Sequence, residues 1–326
     1  ILMLIVSFCA SQNLDACTTF CLKKDSAVVV GKNLDWSIGD GYLLINKRDT
    51  PKFSLVNPGA KPIQWISKYG SVTFNQFGVE FPLGGMNEAG LVVEELSYSP
   101  SVYPQNDSLP TVNDMQWVQY QLDNFCSVQE VIENLSAIQI TKFMFWLHYF
   151  IADRHGNAAV IEFIEGEAIF YTGADLPVAA LSNNSYQNSI KYLKFHQGFG
   201  GDMIPRNGSG SQERFVRTAM LLKNYDDSYP ADYAFSILEN VKQQDTQWSI
   251  VYDPVHLSIH FKIKDQLEIQ QVDFKSIDFS NVICPAFYEL GASTKSFPSF
   301  SEITPGENRA LLENVFDKLI KLKELS

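Results

Sequence analysis

"NLDACTTFC" (residues 13–21) sets Cys17 behind a small residue and ahead of two threonines that open a strand pattern. Before it runs ILMLIVSFCA, an apolar stretch too short to span a bilayer and of the right length for a secretory leader. Ala10, Ser11 and Ala16 supply the small residues at which a signal peptidase cuts. Residues 1–16 therefore read as a truncated signal peptide and short pro-segment that is removed, with residues 17–326 as a single domain. Cleavage after Ala16 makes Cys17 the first residue of an exported, periplasmic or extracellular chain. A thiol attacks poorly until a base takes its proton or nearby positive charge lowers its pKa. An N-terminal cysteine carries its own base, an α-amine that titrates at about 7.7–8.0. LDAC also resembles the signal before a lipidated cysteine, which would block both groups, although Asp15 is unusual there.

Composition fits a packed globule. The chain is 45% hydrophobic and 13% aromatic, with a net charge of −12 and no basic run, which argues against nucleic acid and anionic membrane as partners. No other apolar stretch approaches the length of a membrane span. Cys9 goes with the leader. Cys17, Cys21, Cys126 and Cys284 have no dense disulfide spacing, so Cys17 is available for chemistry.

Blocks of strands alternate with blocks of helices. TTFCLKK (18–24), AVVVGKN (27–33), YLLINKR (42–48), SVTFNQF (71–77) and LVVEELSY (91–98) read as strands from their β-branched and aromatic content. VNDMQWVQYQLDNF (112–125) has helical spacing, and Ser127 with Glu130 forms a capping box for the next helix. Strands follow at 145–153, 158–164 and 168–173, helices at 186–196, 213–224 and 232–242, and strands at 248–253, 256–263 and 267–274. A terminal helix closes the chain at 308–322. Grouped strands and helices predict an α+β fold with antiparallel sheets under helix layers. The loop GFGGDMIPRNGSGSQ (198–212) reads as flexible and placed where an active-site loop could lie.

VVVGKNLDW (28–36) puts a cation, Lys32, and a carboxylate, Asp35, at the end of the strand next to Cys17. The first would stabilise a thiolate and the second would orient an ammonium. CTTF, GKNLDW, GGMNEAGL, LSNNSY and ERFVRTAMLL, in this order, resemble the choloylglycine hydrolase and penicillin V acylase family, closest to its linear amide C–N hydrolase members. The resemblance runs from Cys17 to about residue 275. It implies a four-layer αββα sandwich, the N-terminal-nucleophile hydrolase fold, with no metal or organic cofactor and a small N-acyl amide as substrate. It also implies a homo-oligomer, with the family leaning to tetramers. By position, Cys17 matches the nucleophile and Asp35 the acid that contacts its amine. Asn183 matches the side-chain donor of the oxyanion hole and Arg214 a distal active-site arginine. Lys32 stands where the family has arginine and lacks the rigid guanidinium fork. Ser97 stands where bile-salt hydrolases have asparagine and would serve through its backbone N–H. Trp36, Phe74, Tyr98 and Tyr186 are expected to wall an apolar acyl pocket.

Two other functions are open to this sequence: a diverged, non-catalytic binding protein and a Cys–His hydrolase using Cys17 or Cys126. His256 and His260 read as the polar side of a strand, GGMNEAG as a turn rather than a phosphate cradle, and the sequon at Asn183 as chance. Bile-salt conjugates, penicillin V, acyl homoserine lactones and acyl amino acids are all open as substrates to this sequence.

Overall fold

The structure, a computed structural model, describes residues 17–226, 228–266, 268–281, 286–290 and 300–324. The leader, and with it the predicted cleavage, lies outside the described residues, as does Cys284.

In chain order the first strands are β1 (Thr18–Lys24), β2 (Ala27–Asp35), β3 (Tyr42–Asn46), β4 (Pro51–Phe53), β5 (Gln64–Ile66), β6 (Ser71–Asn75), β7 (Pro82–Asn87), β8 (Val92–Ser97) and β9 (Thr111–Asn113). Helices α1 (Asp114–Asn124) and α2 (Val128–Asn134) follow, then β10 (Gln139–Thr141), β11 (Leu147–Ala152), β12 (Ala158–Ile164), β13 (Glu167–Thr172) and β14 (Ala180–Ser182). The rest comprises α3 (Tyr186–Leu193), α4 (Ser211–Lys223), α5 (Pro230–Val241), β15 (Thr246–Asp253), β16 (Ser258–Ile263), β17 (Gln270–Asp273), β18 (Ala286–Glu289), β19 (Ser301–Glu302) and α6 (Pro305–Glu324).

Two large antiparallel sheets form the middle layers. One runs β14-β1-β2-β15-β16-β17 and the other β13-β12-β11-β8-β7-β6-β3-β18-β19. Their inner faces meet through aromatic side chains. Phe74 of β6 packs on Trp248, Tyr252 and Phe261 of the opposite sheet, at ring-centroid distances of 5.9, 6.3 and 5.6 Å. Helices α4 and α5 lie on the outer face of the first sheet and α1 on that of the second, giving the four αββα layers. Both faces of the central strands are covered, so β3 and β6 are buried along their whole length and show no polar alternation.

Local signals behave as their chemistry requires. The Ser127 hydroxyl caps α2 by accepting the Glu130 N–H at 3.3 Å, while the Glu130 carboxylate reaches back to the Cys126 N–H at 2.7 Å. The segment PLGGMN, read in part as a turn, is strand β7 instead. Its glycines are there for space. A Cβ on Gly84 would overlap the Glu94 carboxylate, and one on Gly85 would sit 2.5 Å from the Val72 carbonyl. The strand expected from His256 begins at Ser258, because Leu257 takes a φ of +58° that ends the preceding turn. No helix among the described residues is long and apolar enough to cross a membrane.

Candidate active site

Cys17 lies at the head of β1, whose register with β2 pairs Thr18 with Asn33. One step further along that register, Cys17 stands across from Leu34 and next to Asp35. The residue is buried and opens a pocket also lined by Leu34, Trp36, Phe77, Leu83, Phe145 and Leu147, with Gln76, Glu95 and Ser97 as its polar members.

Arg214, on α4, is the hub of the site. Its Nη1–H donates to the Cys17 carbonyl at 2.6 Å and to the Thr18 hydroxyl at 2.5 Å. Nη2–H donates to Asn183 Oδ1 at 2.9 Å, and Nε–H to the Ser209 carbonyl at 3.1 Å. Nη1 also stands 3.8 Å from Asp35 Oδ2. A planar fork with fixed donors can hold four groups in one arrangement, which an ammonium cannot.

Asp35 is fully buried. Its Oδ1 accepts from the Thr246 hydroxyl in a short hydrogen bond, while Oδ2 has no hydrogen-bond partner among the described residues. Burial pushes its carboxyl up to about 7, against the pull of Arg214 and the Thr246 hydrogen bond. A buried acceptor with an open lone pair is a receptor for a cationic donor.

Lys32 is also fully buried, and its ammonium donates to the Glu95 carbonyl at 2.5 Å and pairs with Glu94 Oε2 at 3.4 Å. Burial alone would lower its pKa. Cys17, Glu94 and Glu95 outweigh that and hold it above the ordinary value, so it stays a cation facing the thiol's surroundings.

The donor pair emerges from strand geometry. The Tyr98 N–H bonds the Trp146 carbonyl at 2.8 Å and the Leu147 N–H turns to the Tyr103 hydroxyl at 3.0 Å, so Ser97 and Leu147 form a non-hydrogen-bonded pair of the β8–β11 ladder. The backbone of Ser97 therefore points away from β11, on the side where pairing with β7 stops at Glu94. Its carbonyl there accepts one proton of the Asn183 amide, at 3.0 Å. An amide NH₂ has a second proton, so Asn183 and the Ser97 N–H bring two donors to one edge.

Of the four aromatic residues expected to wall the pocket, Trp36 does so, and its indole N–H is buried with no hydrogen-bond partner among the described residues. The other three are corrected. Phe74 points between the sheets. Tyr186 is core, its ring tilted against Tyr171 and its hydroxyl donating to the Val178 carbonyl at 2.9 Å. Tyr98 stacks on the buried His148 at 4.8 Å, outside the pocket. Phe77, Phe145 and Leu83 take their place. Phe77 and Phe145 lie at the ends of strands read from the sequence and Leu83 at the start of β7, and no local signal marks them as pocket residues. The 198–212 loop is tied down rather than loose. Arg217 Nη1–H holds the carbonyls of Arg206 and Gly208, both at 2.8 Å, and Ser211 meets the Ser182 hydroxyl at 2.9 Å.

His148 is held in a buried pair with Glu162 at 3.3 Å, and Cys126 lies against Glu130 at 3.6 Å. Neither forms a Cys–His couple. No group of three His, Cys, Asp or Glu among the described residues is arranged to hold a metal.

Residues 17–283 match the sequence model of the linear amide C–N hydrolases, choloylglycine hydrolase family. The chain belongs to that family. Its class of reaction is hydrolysis of linear amide C–N bonds. A penicillin V acylase from Pectobacterium atrosepticum is 25% identical to this hydrolase, over 68% of its chain and 70% of the relative's. The fold is shared with a penicillin V acylase from Agrobacterium tumefaciens, at a TM-score of 0.77 and 24% identity, covering 89% of this hydrolase and 98% of that chain. It is shared too with a conjugated bile acid hydrolase from Clostridium perfringens, at a TM-score of 0.69 and 18% identity, covering 88% and 100%.

Proposed function

We propose that this hydrolase cleaves N-acyl amides with Cys17 as an N-terminal nucleophile, through a thioester acyl-enzyme. The observation that carries the reading is the buried Oδ2 of Asp35, which accepts no hydrogen bond among the described residues and has the Arg214 guanidinium only at 3.8 Å. An α-ammonium on residue 17 is the group that would fill it. Export and removal of residues 1–16 belong to the same reading, since cleavage after Ala16 generates that amine.

The chemistry then runs with the chain's own groups. The Cys17 amine, directly or through water, takes the thiol proton, and Lys32 favours the thiolate by charge. Sulfur bonds to the acyl carbon, and the oxyanion meets Asn183 and the Ser97 N–H. The carbonyl re-forms, the C–N bond breaks, and the amine leaves with the proton held by the Cys17 amine. Water, deprotonated by the same amine, splits the thioester to a carboxylic acid and restores the thiol. Arg214 touches backbone, Thr18, Asn183 and Asp35, so it positions the nucleophile and the donor. The lining favours an apolar acyl group.

Quenching the mature chain with substrate and measuring the mass of the Cys17 peptide tests this directly. The acyl group should be found on that peptide. Turnover on a panel of amides with no adduct at Cys17, and full activity in Cys17→Ala, would overturn it.

A further inference from the structure

Helix α6 lies outside the family-matched residues 17–283, yet it supports two walls of the pocket. Leu311, Val315 and Leu319 bury one stripe of it against the body. From that stripe, Phe316 packs on Phe77 at 6.4 Å, and Phe77 packs on Phe145 at 5.5 Å, which in turn meets Trp36 at 6.0 Å. Phe77, Phe145 and Trp36 line the pocket, whereas Phe316 stands behind Phe77.

The backbone of this wall is tied to the same helix. Asn308 Oδ1 accepts the Val79 N–H at 3.0 Å. The turn before it relies on Gly78, whose φ is +91° and whose carbonyl accepts from the Asn75 amide at 3.0 Å. A Cβ on Gly78 would also come within 3.0 Å of Asn308 Oδ1, so the helix and the turn fit only with glycine there. The segment after Trp36 is held from both sides. Gln76 Nε2–H donates to the Ile38 and Asp40 carbonyls at 2.7 and 2.9 Å. The Asp40 carboxylate takes a hydrogen bond from Asn314 at 3.0 Å and an ion pair with Lys318.

We propose that α6 determines acyl specificity: through Phe316 and Asn308 it holds Phe77 as the end wall of the pocket and so limits the length of acyl chain admitted. The inference rests on Cys17 being the acyl acceptor. Phe77 has packed rings on two sides, and removing the one behind it opens space into which its own ring can retreat. The acyl groups favoured by the intact wall are short and apolar, and a shortened residue at 316 admits longer ones. Phe316 and Asn308 touch no reacting atom and are positioning residues.

The test uses the mature full chain and N-acyl amides of one chromogenic amine, from butyryl to myristoyl. A methylene that gains or loses its fit in an apolar pocket changes kcat/KM by roughly 10-fold or more. Phe316→Ala should therefore move the optimum to a longer acyl group, through KM more than kcat. Phe316→Leu keeps α6 packed should the alanine variant fail to fold, and should give a smaller shift in the same direction. Asn308→Ala should broaden the profile. Calorimetric binding of the matching carboxylates, butyrate to myristate, to Cys17→Ala with and without Phe316→Leu reads the pocket without turnover. If the parent hydrolyses no amide, the nucleophile reading falls, but the carboxylate profile still decides the role of α6. Uniform loss across the series, parallel profiles in parent and variants, or no carboxylate binding overturns the proposal.

Discussion

Arg214 holds Asn183 by its oxygen: Nη2–H donates to Oδ1 at 2.9 Å, and this leaves the amide nitrogen turned to the Ser97 carbonyl at 3.0 Å. A side-chain amide that ends in a planar O/N ambiguity is thus fixed as a donor towards the edge where the Ser97 N–H also points. The same guanidinium anchors the Cys17 carbonyl, so one side chain holds both Cys17 and Asn183 in place.

Asn183→Ala removes that donor without touching the core. Loss of one oxyanion donor costs about 10²–10³ in kcat. The expected result is a drop of at least ~10-fold with KM and melting temperature little changed. Asn183→Asp keeps the acceptor for Arg214 but no donor, and should be equally slow. Normal kcat in a folded Asn183→Ala chain would place Asn183 outside the chemistry.

Lys32 has two jobs that separate experimentally. Its charge faces Cys17, and its ion pair neutralises the buried Glu94, which also accepts from the Tyr252 hydroxyl at 2.5 Å. Lys32→Met should shift alkylation of Cys17 to higher pH, and should cost about 3–5 kcal/mol of stability by stranding Glu94. Adding Glu94→Gln should restore much of the stability and none of the alkylation shift. An alkylation profile that stays put would reduce Lys32 to a structural cation.

Asp35 makes a prediction about pH. With an amide nitrogen at Cys17, its carboxyl is raised from 3.8 to about 7 by burial. A folded-state pKa above the unfolded one contributes stability that is complete below the unfolded value and is lost as pH rises through the folded one. The uncleaved chain should therefore lose stability relative to Asp35→Asn between pH 3.8 and about 7. In a chain beginning at Cys17, the proposed ammonium against Oδ2 would favour the carboxylate, and the loss should shrink or reverse. Denaturant unfolding over that range, in both forms with and without the substitution, reads the difference. Asp114 is also raised to about 7, but it is common to every arm and cancels.

Local chemistry made much of this legible in the sequence. β1 starts and ends where TTFCLKK does, and Cys17, Lys32 and Asp35 fall on neighbouring strand ends, as their spacing implies. The pocket wall was not legible, and the reason is the second sheet. With both faces of β6 covered, its polarity pattern does not reveal which side Phe74 takes, and nearness to a motif is a poor guide. Phe77 and Phe145 flank strands and are brought beside Cys17 only when the two sheets and α6 close on one another. Contacts between residues so far apart in the chain leave no local periodicity. Tyr186 shows the same effect in a helix: its place at the start of α3, near Asn183, is explained by Glu162, whose Oε1 accepts its N–H at 2.9 Å.

The final prediction concerns the amine of Cys17. If that residue supplies nucleophile and base together, activity requires an unblocked α-amine and not merely the thiol. A chain retaining SQNLDA ahead of Cys17 presents an amide nitrogen there, with no usable basicity and no charge to place against Asp35 Oδ2. Three proteins compared on one amide substrate decide the matter: a chain starting at Cys17, a chain starting at Ser11 with cleavage excluded by mass, and a chain starting at Cys17 whose α-amine is acetylated. All three should fold, because Arg214 anchors the carbonyl of Cys17 rather than its nitrogen, and β1 pairs from Thr18 onward in each. Only the first should turn over, and Cys17→Ala should be inactive in every form. Cys17→Ser should retain at most a slow reaction, since a hydroxyl beside the same amine is the weaker nucleophile. Full activity in the extended or acetylated chain would show that another base serves the thiol.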